Sequence, residues 1–363
     1  MRGWWWGALL LPPVLACGTG DTGLEERPLA PGGSGGGGPV EVPPPVIHGP
    51  PAPLATELLG PELGAPRDAL DLSFDQGGGL WIAARDGLFV RPPGAHFFDP
   101  ITASDGLPRA EIHAVGGLAA GTALVSFRGG EPPRLVRIDE GGGIAVEEAP
   151  LSPLVARFRP VETEDGRFLV AATGAGLAVL DAEGTVRGTR TLPAPAPELW
   201  DVAVTPAGDA WVGDATRVAR VAGPVTATLA GAVSPVVDLV PGEADDVVAV
   251  EVCPDGTIWA SSLGHGVFGL SPTGAIRHHL TQEEVLPQDH VPALACDLDG
   301  SLWIGTSWGG LARRHPDASF SYHGATAGLP GDSVRRLVVV PDENGGRTLW
   351  MATDGGVART TAE

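Results

Sequence analysis

One short pattern recurs along this chain at an interval that few architectures repeat. A strand-like run holding a tryptophan enters a glycine turn in "GGLWIAARDG" (78–87), "GDAWVGDATR" (208–217), "GTIWASSLGHG" (256–266), "DGSLWIGTSWGG" (299–310) and "RTLWMATDGG" (347–356). Two further copies lack the tryptophan, "GTALVSFRGG" (121–130) and "GRFLVAATGAG" (166–176). The anchor positions read as Trp81, Leu124, Leu169, Trp211, Trp259, Trp303 and Trp350, separated by 42 to 48 residues. Seven copies at this period are the signature of a β-propeller with one four-stranded blade per copy. The fold class expected is therefore all-β, a seven-bladed β-propeller with four antiparallel strands per blade.

Each copy resolves into strands. About ten residues before each anchor lies an apolar segment: "ALDLSF", "IHAVGGL", "VARF", "WDVAV", "VVAVEV", "PALACDL" and "VRRLVVV". These read as innermost strands, apolar because neighbouring blades cover both faces. An Asp/Gly turn, the anchor strand, the glycine turn, a third strand and a more polar outer strand follow. The chain ends after the third strand of the last copy, while "LATELLGPELGAPRDAL" before the first copy mirrors "FSYHGATAGLPGDSV" at 320–334. Residues near 54–60 are thus expected to supply the outer strand of the last blade, which leaves no open sheet edge.

Composition agrees with many short strands and turns: 54 Gly and 36 Pro among 363 residues break helices too often for a helical protein. The net charge of −21, with arginine as the sole strongly basic residue, leaves no basic surface to displace phosphate counterions and excludes nucleic acid as a partner.

The N-terminus, "MRGWWWGALLLPPVLACGTGD", has one arginine, a short apolar stretch and a small residue before a cysteine, the form of an export signal. Val14-Leu15-Ala16-Cys17 resembles the lipobox of bacterial lipoproteins, which implies cleavage after 16, lipidation of Cys17 and, with Gly18 next, an outer-membrane destination. Residues 17–53 include "GGSGGGG" and read as a flexible Gly/Pro-rich tether, with the propeller over 54–363. The membrane is then reached through the lipid anchor alone, and the body is expected to be a monomer.

"TASDGLPRAEI" (102–112), "TAGLPGDSV" (326–334) and "DLDGSLWIGTSWGGLARRHPD" (297–317) resemble the repeats of the two-component regulator propellers. That family supplies extracytoplasmic sensor modules of bacterial hybrid histidine kinases and standalone secreted proteins. The resemblance implies a sensing or binding module whose output, if any, passes through another protein. The "PDGTIW" style of repeat also resembles the streptogramin lyase propellers, which implies an alternative enzyme, a lyase or hydrolase acting at the central channel.

Among chemistry-bearing residues, the tryptophan anchors read as core. The glycine turns lead into strands rather than helices, so they are not phosphate loops. The histidines show no ligand spacing: His278 and His279 adjoin on one strand and face opposite ways, His48 falls in the tether, and His265, His290 and His323 lie apart. No metal and no cofactor is expected. Cys253 and Cys296 sit late in the inner strands of the fifth and sixth copies and, about one position out of phase, read as buried free thiols rather than a bridge. No catalytic motif stands out.

Geometry supplies the remaining candidates. The turns after the anchor strands share one face with the connections entering each inner strand, and that face surrounds the channel. It offers Arg85, Asp86, Arg128, Asp214, Arg217, His265, Trp308 and Asp354 on turns, and Arg109, Trp200, His290 and Arg335 on connections. Aromatics, arginines and carboxylates together suit a carbohydrate or peptide ligand, or an envelope protein. Trp308 stands out, because most other copies place glycine or a small residue there.

Overall fold

Strands whose two faces are both apolar must be covered on both sides, and the chain achieves this by stacking its repeats around an axis. The computed structural model describes residues 46, 48–50, 52–192, 199–242, 246–341 and 346–361. They form seven four-stranded antiparallel sheets. The inner strands are Ala69–Phe74 in blade 1, Ile112–Gly117 in blade 2, Val155–Thr163 in blade 3, Asp201–Val204 in blade 4, Val247–Val252 in blade 5, Ala293–Cys296 in blade 6 and Val334–Pro341 in blade 7. Each neighbours the next, and blade 7 returns to blade 1. Three single-turn 3-10 helices are the only helices among the described residues.

The ring closes as the sequence predicts. Thr56–Leu59 pairs antiparallel with Gly356–Thr361, so blade 7 holds one strand from the front of the propeller and three from its end. Upstream of that strand, Val46 N–H donates to Pro287 O at 2.8 Å, His48 Nε2 to Leu286 O at 2.8 Å and Ala52 N–H to Tyr322 O at 2.7 Å. The last described residues of the expected tether are thus tied to blade 6. The export signal, Cys17 and the remainder of the tether lie outside the described residues.

Seven apolar clusters fill the spaces between adjacent blades. Outside blade 3 the anchor side chains point toward the following blade: Trp81 packs with Val115 and Val125 of blade 2, and Trp303 with Val334 and Met351 of blade 7. Trp81 and Trp303 are 0% and 1% exposed, which makes the anchors core. Their indoles are also bound, Trp81 Nε1 donating to Asp75 Oδ2 at 2.9 Å and Trp303 Nε1 to Asp297 Oδ2 at 3.3 Å.

In blade 3 the anchor is one residue later than expected. The register pairs Ala172 with Arg157 as it pairs Ala83 with Asp71, so Val170 is the partner of Trp81 in phase and Leu169 is not. Val170 packs against blade 4, whereas Leu169 faces back toward blade 2. Both faces of that strand are apolar, so the sequence carries no parity there.

Cys253 and Cys296 are joined in a disulfide across 5.2 Å between Cα atoms, which corrects the expectation of free thiols. Cys253 lies just beyond the end of its inner strand, so the offset in phase does not hold the two apart, and the inner strands of blades 5 and 6 run side by side.

Candidate functional site

Every inner strand presents an unpaired edge to the axis, and its N–H and C=O groups need partners. Side chains supply them. Asp71 Oδ2 accepts from Val115 N–H of blade 2 at 3.0 Å, and Asp201 Oδ2 accepts from Val250 N–H of blade 5 at 2.9 Å. Arg159 donates to Val202 O at 3.0 Å and Val250 O at 3.1 Å, and Arg167 donates to Gly117 O at 3.1 Å.

These groups also pair with one another. Asp71, Ala114, Arg157, Asp201, Ala249, Ala293 and Arg336 occupy one equivalent register position in the seven blades. Two aspartates and two arginines meet there, and three alanines leave them room. Arg157 lies 3.3 Å from Asp71 and 3.5 Å from Asp201, Arg336 lies 3.3 Å from Asp71, and Arg159 lies 3.0 Å from Glu251. Burial and the neighbouring Arg157 lower the Arg336 guanidinium to about 10, and burial raises the Glu251 carboxyl. Sequence reasoning passed over this network. Its signal was charge inside otherwise apolar segments, as in "ALDLSF" and "VRRLVVV". The carboxylates here are spent on backbone N–H groups and guanidiniums, an arrangement suited to closing the axis rather than to moving protons.

Above this plug a repeated β-bulge turns one residue per blade out of register. It falls at Leu70, His113, Ala156, Val248 and Arg335 in blades 1, 2, 3, 5 and 7. Burial, helped by Arg128 and Arg157, pushes the His113 imidazole down to about 3 and keeps it neutral. His113 was not among the residues singled out from sequence.

The predicted candidates divide between groups used by the fold and groups left over. Asp214 accepts from the N–H groups of Thr216 and Arg217 and binds the Arg217 guanidinium at 2.9 and 3.2 Å, closing its own turn. Asp354 accepts from Ser333 N–H at 3.2 Å, and the His265 carbonyl accepts from His279 Nε2 at 2.8 Å. His279 stacks on Phe268 and His278 on Trp259. Among the described residues no three His, Cys, Asp or Glu side chains are grouped to hold a metal ion.

Arg85, Asp86 and Arg109 do come together, around a cleft of about 690 Å³ between blades 1 and 2. Arg128 joins them through Glu111 at 3.1 Å, and Arg335 through Asp68, which Arg85 also binds at 2.6 Å. In blade 6, His290 Nδ1 bonds Ser307 Oγ, and its ring lies 5.4 Å from that of Trp308. Trp200 Nε1 is buried without a hydrogen-bond partner among the described residues.

The loop carrying Trp308 is closed by its own groups. Thr306 N–H and Oγ1 both bond Gly310 O at 2.9 Å, Gly309 N–H bonds Thr306 Oγ1 at 2.9 Å, and Ser307 N–H bonds His290 O at 3.1 Å. Gly310 is required, since at φ +74° a Cβ would stand 2.4 Å from His323 O. Few amides remain for an anion. Trp308 is therefore a half-buried side chain held on a closed turn beside His290.

Fold and face together define a seven-bladed propeller with a plugged axis and a charged face around the strand entries. Among solved structures it is similar to the extracellular domain of a hybrid two-component system from B. thetaiotaomicron, at 18% identity and a TM-score of 0.62, over 85% of this chain and 42% of that one. It is likewise similar to virginiamycin B lyase from Staphylococcus aureus (14% identity, TM-score 0.63, 85% of this chain and 99% of that one). A third similar structure is PorZ, a surface component of the type-IX secretion system of Porphyromonas gingivalis (14% identity, TM-score 0.55, 84% and 39%). The chain thus spans less than half the length of the first and third. No protein-family profile and no curated protein sequence matches it.

Proposed function

We propose that this chain is an exported bacterial envelope lipoprotein of the two-component regulator propeller type, whose propeller recognises a ligand or partner protein on its strand-entry face without catalysis. The observation that carries the reading is the contrast between the two charge systems. Charges at the axis are paired and spent on the fold, whereas on the entry face Asp86 and Arg109 are exposed without a hydrogen bond or ion pair among the described residues, and Trp308 lies half-buried beside His290. The extracellular and surface-component structures among its likenesses support a position outside the cytoplasm. The Cys253–Cys296 disulfide supports it independently, because such bonds persist in oxidising compartments.

A carbohydrate and peptide array probed with the purified propeller tests recognition. A reproducible ligand is expected, and Trp308→Ala should weaken it about tenfold, the usual effect of removing an interfacial tryptophan. No ligand of either class, with a constant envelope partner co-purifying, would transfer the function to scaffolding. For the anchor, Cys17→Ala is expected to move the protein from the detergent to the aqueous phase on partitioning; unchanged membrane association would remove the lipid from the reading.

A second reading has one observation in its favour: this chain matches virginiamycin B lyase over nearly that enzyme's whole length. A lyase would need a free base at the channel mouth. His113 is neutral there, yet it neighbours Arg128 and Arg157 rather than a carboxylate, which favours recognition over catalysis.

A further inference from the structure

We propose that a cleft between blades 3 and 4 docks a basic peptide segment of a partner protein. The cleft lies on the face opposite the strand entries, so it is separate from the recognition surface described above and does not rest on it.

The cleft has a volume of about 480 Å³. Its blade 3 wall carries Phe168 and Val179, on the second and third strands of that blade. Its blade 4 wall carries Val225 and Leu229, on the connection between Val221 and Val233. These four side chains belong to the apolar cluster between the two blades. The connection is held in place by its own bonds. Val225 N–H donates to Gly208 O at 2.9 Å, the N–H groups of Ala227 and Thr228 donate to Pro224 O at 3.0 Å, and the Arg190 guanidinium donates to Leu229 O and Gly231 O. The charges stand at the rim. Asp181 accepts from Thr185 N–H at 2.8 Å and pairs with Arg187 at 3.6 Å. Asp165 and Glu183 are exposed, and neither carboxylate makes a hydrogen bond or ion pair among the described residues. Arg137 donates to the Glu183 carbonyl at 3.0 Å but is itself paired with Glu147. Two unmatched negative charges therefore flank an apolar floor.

Charge and shape together select the occupant. The turn bearing Asp165 joins the first two strands of blade 3, and the turn bearing Glu183 joins its last two. The turns thus stand two strand spacings apart, roughly 10 Å. In an extended segment a lysine, an apolar residue and a second lysine at alternate positions share one face and span about 13 Å along the backbone. Lysine stems are long enough to lean inward to both carboxylates, while the central side chain enters between Phe168 and Leu229. A linear polyamine would answer the two charges, but its thin methylene chain leaves most of such a cleft unfilled. The chain's net charge of −21 attracts cationic partners from a distance, and the apolar floor selects among them.

The test is fluorescence anisotropy on the purified propeller with a labelled Lys-Ser-Leu-Ser-Lys peptide. Controls are the same peptide with serine for leucine, and spermidine as competitor. Binding is expected at low ionic strength. Asp165→Lys with Glu183→Lys should weaken it at least about tenfold, and so should Ala227→Lys, which sets a cation within the cleft. Glu283→Lys with Glu284→Lys, an equal change of charge on the entry face, should alter it less than about twofold, because distant exposed charges are screened. Exchanging the peptide's leucine for serine should weaken binding at least about fivefold. Trp308→Ala should leave it unchanged. Thermal melts of each variant keep loss of fold separate from loss of binding. No binding, equal losses in the two charge-reversed pairs, indifference to the leucine, or displacement by equimolar spermidine would each overturn the proposal. Loss with Trp308→Ala would place the peptide on the recognition face and overturn it as well. An empty array beside peptide binding that depends on Asp165 and Glu183 would remove the recognition reading and leave this one standing.

Discussion

Breaking the Cys253–Cys296 bridge is expected to cost about 4 kcal/mol of stability, the entropy that closing a loop of 43 residues removes from the unfolded chain. The size follows from where the bridge sits. It joins the residue just past the inner strand of blade 5 to the inner strand of blade 6, so it fixes one blade-to-blade contact. Cys253 is buried among Trp259, Leu294 and Leu302, so replacement by serine also places a hydroxyl in an apolar setting. Urea unfolding of the Cys253→Ser/Cys296→Ser variant, beside the native chain with and without dithiothreitol, measures the effect. The native chain should lose roughly 6 °C in melting temperature on reduction, and the variant should not respond. A change below about 1 kcal/mol would mean that the terminal strand pairing already supplies the restraint credited to the bridge.

The legibility of this molecule followed the physics of its strands. The blade count was readable because each repeat buries an anchor strand on both faces, and the closing strand because the segment before blade 1 copies the entry to blade 7. Phase was harder. In "RFLVAAT" every side chain from Phe168 to Ala172 is apolar, so alternation does not distinguish Leu169 from Val170; the pairing with Arg157 does. The disulfide was missed because in-phase positions were compared, whereas Cys253 sits past its strand in the turn. The entry face was legible as a face, since strand direction alone places Arg85, Asp86 and Arg109 together. Which of its charges are free was not. Asp68 and Glu111 occupy irregular connections with no periodicity, and they pair with Arg85, Arg128 and Arg335, whereas Arg109 has no ion pair among the described residues.

Asp71→Ala is expected to destabilise the propeller by about 3–5 kcal/mol, the usual cost of removing one partner from a buried charge group. Asp71 is 1% exposed, accepts hydrogen bonds from the N–H groups of Leu72 and Val115 and from the Arg157 guanidinium, and forms an ion pair with Arg336 at 3.3 Å. Without it, Asp201 remains the nearest counterion of Arg157, and Arg336, already lowered to about 10 by burial and Arg157, loses its carboxylate. Asp71→Asn should cost less, because an amide oxygen still accepts from Val115 N–H while the charge is gone. The informative comparison is Asp71→Leu with Arg336→Leu. If the penalty comes from an uncompensated charge, the pair should lie well above the sum of the single losses, by about 1–3 kcal/mol in a double-mutant cycle. Additive losses, or a cost for Asp71→Ala below about 1 kcal/mol, would mean that water reaches the axis and screens these groups. The paired axis has a consequence for recognition. Blades 1, 3, 4 and 7 are tied together beneath the entry face, so a ligand meets a rigid rim, with its binding groups held in place before it arrives.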